Sequence, residues 1–123
     1  MEIFDRKAPW PNKVNFVDEN NVVVGYDMNM VCCEEAGWFI ADDPTTEVAY
    51  SPISKDIDSY VFDPEYFEEA WGVNIGPMTS IVIFRLINGE EEKFLHLYNC
   101  HEGYYHHGFE MTVNGTKKVG GSI

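Results

Sequence analysis

The chain has 123 residues, of which 45% are hydrophobic and 15% aromatic, enough to build one core without disulfide staples. Its formal charge is −13, which disfavours nucleic acid and anionic membranes as partners and favours a basic protein. A single domain, residues 1–123, is the expectation. The start, MEIFDRKAPW, lacks a basic segment followed by an apolar one, and no later apolar run approaches the roughly 20 residues of a membrane span. Three cysteines, two of them adjacent, form no disulfide framework. Together these features point to the cytoplasm.

In chain order, KVNFV and NVVVGYDM flank the turn residues DENN, and Val22, Val24, Tyr26 and Met28 recur at period two. A hairpin is predicted there. VCCEEAGWFI suits either a short helix or a strand at first and a strand at its end, through Trp38, Phe39 and Ile40. Ala41 to Asp56 is rich in turn formers and reads as a long loop holding one short strand. In DPEYFEEAWG, Asp63 suits an N-cap, Pro64 the first helical position, Glu65 the helix dipole and Gly72 the stop. A short helix starting at Pro64 is therefore predicted, with Tyr66, Phe67, Ala70 and Trp71 as the apolar stripe that lies on a sheet.

The remainder reads as a meander of three consecutive antiparallel strands over residues 80–112. Asn88-Gly89 predicts a two-residue turn that sets Ile87 opposite Glu90 and Arg85 opposite Glu92. CHEGY predicts a second turn, with Gly103 in the left-handed region and Cys100 opposite Tyr104, and Asn114-Gly115 a third. The fold class expected is thus α+β, a mainly antiparallel twisted sheet with one short helix.

Counting back from those turns sorts the side chains onto two faces. Val82, Phe84, Leu95, Leu97, Tyr105, His107, Phe109 and Met111 form a core face. Ile81, Ile83, Phe94, His96, Tyr98, Cys100, Tyr104 and His106 fall opposite, with Tyr98 across from His106. On this reading His96, Tyr98, Tyr104 and His106 line a cleft. His96 and His106 would stand diagonally within reach of one metal ion, with Cys100 or Glu110 approaching from the same side. The pattern carries no metal-site spacing, however, and adjacent His106 and His107 must point apart on a strand. Imidazole and aromatic side chains also make good cross-strand pairs without any ligand.

CCEE, Cys32 to Glu35, invites a thiol-chemistry reading, but neighbouring carboxylates raise a thiol pKa, and the favoured account is one buried cysteine packed as a small apolar residue beside a partly exposed neighbour. The carboxylates of DPEYFEEAW and NGEEEK read as solvated faces and turns. No phosphate-cradling loop, nucleophile elbow or dinucleotide fingerprint is present, so no cofactor is expected.

GYDMNMVCCEEAGWFI together with YNCHEGYYHHGFEM resembles a group of small bacterial and phage proteins that pair a double-cysteine-acidic motif with a later Gly-Tyr-Tyr strand. That group has no assigned activity. The resemblance implies that Cys32, Cys33, Glu34, Gly103, Tyr104 and Tyr105 belong to one site or one packing unit.

Two functions from different classes follow as expectations. One is a non-enzymatic binding protein for a basic partner, of the immunity or phage-accessory type. The other is a small metal-dependent or thiol enzyme using His96, His106 and a cysteine. The binding residues expected are His96, Tyr98, Tyr104, His106, Cys32 and Cys33. The cysteines are expected to be unbridged, because an adjacent pair on a strand points apart. Thiol titration in denaturant without reductant should return all three per chain, and a smaller number would refute the reducing compartment.

Overall fold

The computed structural model describes residues 1–6, 12–29, 34–44, 57–72, 79–100 and 105–123. They form nine strands: β1 Glu2–Arg6, β2 Lys13–Val17, β3 Val22–Asp27, β4 Glu35–Ala41, β5 Val61–Gly72, β6 Thr79–Asn88, β7 Glu91–Cys100, β8 Gly108–Val113 and β9 Thr116–Ser122. One sheet has the order β1-β2-β3-β8-β9 and the other β4-β7-β6-β5, and every pairing is antiparallel. The described part is all-β, which corrects the α+β expectation.

The first hairpin forms as predicted, and Asp18 explains its turn. One carboxylate oxygen accepts the amides of Asn20 and Val22, both at 2.9 Å, while Asn21 adopts a φ of 63°. The other accepts the Phe62 amide at 2.8 Å, which ties the turn to the opposite sheet. Asn114 and Gly115, with φ of 52° and 81°, make the two-residue turn between β8 and β9.

The β6–β7 turn sits one residue later than predicted. Gly89 (φ 61°) and Glu90 form it, and Ile87 faces Glu92. The register slips by two residues, so every side chain keeps its predicted face. Arg85 meets Glu92 diagonally rather than directly, at 2.7 Å, and also binds Asp63 at 3.1 Å.

The predicted helix is the edge strand β5. Its start signal is real but serves another purpose: Asp63 accepts the Glu65 amide at 3.1 Å across Pro64, inside the irregularity between Phe62 and Phe67. Proline is tolerated at such a bulge on an edge. Adjacent Tyr66 and Phe67 then serve opposite faces, Phe67 packing on Phe84 and Phe109 and Tyr66 on Phe94. Tertiary burial on both faces outweighs a marginal local preference for helix.

The three-strand meander is corrected as well. β8 pairs with β3 and β9, not with β7. Both edges of β7 are already occupied, by β4 and β6, so Cys100 faces Glu35 and Thr79 and no edge remains for a returning strand. The predicted turn at Gly103 and the short strand between Ala41 and Asp56 fall on positions outside the described residues.

The face-sorting nevertheless holds across the sandwich. Val82, Phe84, Leu95 and Leu97 of one sheet and His107, Phe109 and Met111 at the other are all buried, and Tyr105 is half-buried. Val14, Phe16, Val24 and Tyr26 complete that core, with Phe16 edge-on to Trp38 at 5.1 Å. The four-stranded sheet is buried on its second face too, through Phe39, Ile81, Ile83, Phe94 and Tyr98. Among the described residues no helix is long and apolar enough to cross a membrane.

Phe84 packs on Phe62, Phe67 and Phe109. Phe84→Ala is expected to lower the unfolding free energy in urea by about 3–5 kcal/mol. Glu90→Ala at the exposed turn should stay within about 0.5 kcal/mol of the parent.

Candidate functional site

The chain crosses from the four-stranded sheet at Cys100 to the five-stranded sheet at Gly108, and the polar side chains gather at this end. Tyr26 of β3 donates its hydroxyl proton to the Tyr98 carbonyl at 2.7 Å, spanning the two sheets. Burial, followed by the neighbouring Tyr98, Cys100 and Asp27, pushes the Tyr26 phenol far above its ordinary value.

His107 lies buried beside Tyr26, ring centroids 6.3 Å apart. Its Nδ1 is 2.8 Å from the Asp27 carbonyl, which only accepts, so Nδ1 carries a proton. Nε2 faces buried Glu34 at 3.4 Å, a separation longer than a good hydrogen bond. Asn99 donates to the Tyr105 and Ile123 carbonyls, both at 2.9 Å. His107 and Ile123 exchange backbone hydrogen bonds, so the end of β7, the entry to β8 and the exit of β9 are stapled together.

His96 is fully buried, stacked on Phe39 at 4.3 Å with 12° between the rings, and its Nδ1 donates to the Phe94 carbonyl at 3.1 Å. Tyr98 is buried on the same face, over Gly37; a Cβ there would come within 2.5 Å of its hydroxyl oxygen. This close approach is why position 37 is glycine. Tyr98 therefore faces Gly37 and Ile81, while exposed His106 precedes the other sheet.

The structure thus keeps His96 and Tyr98 together and does not bring His106 to them. Tyr104, Cys32 and Cys33 lie outside the described residues. Among the described residues, no group of three or more His, Cys, Asp or Glu is placed to hold a metal ion. Cys100 is half-buried, and burial pushes its thiol up while the hydroxyl of Thr79, donating at 3.5 Å, pulls the other way. Such a thiol is a poor nucleophile at neutral pH.

Two surfaces were not singled out from sequence. A concavity of about 450 Å³ lies on the outer face of the five-stranded sheet, among Lys13, Asn15, Glu110, Thr112 and Lys117, where Gly25 contributes no side chain. The second surface is an acidic strip along the edge of the four-stranded sheet. It comprises Asp63, Glu65, Glu68 and Glu69 of β5, Glu90 of the β6–β7 turn and Glu91 and Glu92 at the start of β7. Its cationic neighbours are Arg85, Lys93, bound to Asp42, and Lys118, bound to Glu65. Burial and the hydrogen bond to Glu68 push the Tyr66 hydroxyl up to about 12. Periodicity conceals this strip, because its acids belong to two segments that pairing alone brings side by side.

These elements define the class as an antiparallel β-sandwich with an acidic edge. The chain matches no protein-family model, no curated protein and no solved structure.

His107→Ala is expected to destabilise the fold by about 2–5 kcal/mol, since it leaves a cavity beside Tyr26 and takes the donor from the Asp27 carbonyl. His106→Ala should melt like the parent, and thermal melts of the two compare them directly. Alkaline unfolding tests Tyr26. The unfolded phenol releases its proton near 10, whereas the folded one holds it. The stability it contributes is complete below pH 10 and is lost as the pH rises beyond it. Tyr26→Phe should cost about 1 kcal/mol at neutral pH and flatten the alkaline limb of a stability–pH curve.

Proposed function

We propose that this protein is a non-enzymatic binding domain that meets a basic protein surface in the cytoplasm, in the manner of immunity-type or phage accessory proteins. The acidic strip along β5 and the β6–β7 turn carries the reading. Its glutamates are exposed, it belongs to a chain of net charge −13, and it lies on a folded edge where half-buried Asp63 accepts the Glu65 amide and pairs with Arg85. Complementary charge of this kind steers association and selects partners by sign.

The metal-dependent or thiol enzyme has less support. His96 is stacked against Phe39 and fully buried, His106 precedes the other sheet, and the Glu34–His107 pair is buried, with almost no side-chain surface to meet a substrate. The cytoplasmic assignment rests on the three cysteines and the absence of a disulfide framework in their spacing.

Proteins retained from a lysate of the native host should be basic. They should elute on the order of 1 M salt, where the screening length falls to about 3 Å. A variant combining Glu65→Lys, Glu68→Lys and Glu69→Lys should lose them while melting within a few degrees of the parent. Equal retention by that variant, or retention of acidic partners only, would overturn the proposal.

A further inference from the structure

The concavity on the outer face of the five-stranded sheet is built around one cross-strand row. Pairing sets Phe4 opposite Asn15, Asn15 opposite Gly25, Gly25 opposite Glu110 and Glu110 opposite Gly120, so these positions share a face. At about 4.8 Å per strand the row runs about 19 Å. Gly25 and Gly120 flank Glu110 and leave its carboxylate open on both sides. Each glycine is overhung by a polar group instead. A Cβ at Gly25 would stand 2.8 Å from Asn15 Oδ1, and one at Gly120 would stand 2.7 Å from Lys117 Cε and 3.3 Å from its Nζ. An amide, a carboxylate and an ammonium therefore line one trough.

The charges that face the trough balance. Lys13 and Lys117 stand against Asp27 and Glu110, together with Asn15 and Thr112, in a chain whose net charge is −13. Its volume of about 450 Å³ is that of an ordinary small-molecule site. Beyond Asn15 the row ends at the Phe4 ring, which is 53% exposed.

We propose that this trough binds a neutral oligosaccharide laid across the strands. A hydroxyl both donates and accepts, so one kind of ligand group satisfies the carboxylate, which only accepts, the ammonium, which only donates, and the amide, which does both. Balanced charge gives a small cation or anion no net attraction. An apolar ligand would strip water from the charged groups without replacing its hydrogen bonds. The face of the Phe4 ring is negative, and it meets the C–H groups of a sugar ring. The acidic strip lies on the other sheet, so this site stands or falls independently of it.

The test follows the backbone amides of the isotope-labelled full chain by NMR during titration to about 10 mM with maltotriose, cellotriose or triacetylchitotriose, and with cationic chitotriose and anionic trigalacturonic acid. At least one neutral trisaccharide should shift the amides around Asn15, Gly25, Glu110 and Gly120, with a dissociation constant of about 1 mM or below. Glu110→Ala and Phe4→Ala should each weaken it about tenfold. Both side chains are exposed, so both variants should melt like the parent, which separates binding from folding. Absence of shifts with all three neutral probes would overturn the proposal. So would shifts confined to other strands, an affinity indifferent to both substitutions, or equal or tighter binding of either charged probe.

Discussion

A strand whose two edges are both hydrogen-bonded has nothing to offer the segment that follows it. β7 is held by β6 on one side from Glu91 to Cys100 and by β4 on the other from Phe94 to Cys100. The chain beyond Cys100 is therefore forced out of its sheet, and it reaches hydrogen-bonding partners in the other one, between β3 and β9. This switch makes two facing sheets out of what would otherwise be one long meander, and the main core exists because of it. Phe84 and Phe109, far apart in sequence, come within 6.3 Å only through that crossing.

The crossing also explains where the buried polar groups lie. Strand pairing ends there, so backbone groups at the ends of β3, β7 and β9 need other partners. Asn99, His107 and Tyr26 supply them, reaching the carbonyls of Tyr105, Ile123, Asp27 and Tyr98. The same logic applies at the opposite hairpin, where buried Asp18 satisfies three amides from both sheets. Imidazole, amide and carboxylate thus act here as structural connectors. A histidine enclosed in this way is a weak candidate for chemistry, however suggestive its neighbours in sequence.

Charge is distributed by the same architecture. The four-stranded sheet buries side chains on both faces, so most of its described carboxylates collect on the β5 edge and around the β6–β7 turn, with Glu35 at the β4 edge. The five-stranded sheet buries one face and exposes the other, where Lys13 and Lys117 stand beside Glu110. An acidic protein with such a segregated surface presents one strongly negative side and one mixed side. A field of this kind orients an approaching charged molecule before contact is made.

The sequence by itself determined the local features. Asn114-Gly115 dictated its turn because both positions need positive φ, and period two assigned Val82, Leu97, His107 and Met111 to the interior regardless of which strands met. The Arg85–Glu92 pair was legible as well, since a slip of two residues leaves both on one face. The cleft of His96, Tyr98 and His106 was not, because parity tells which way a side chain points but not which sheet it belongs to. Asp63-Pro64 likewise carries the same capping chemistry in a helix start and in an edge bulge. Only the tertiary structure decided between them, by burying Tyr66 and Phe67 on opposite faces of one strand. Partner choice among strands depends on which edges remain open after the others have paired, a property of the whole chain that no short segment contains.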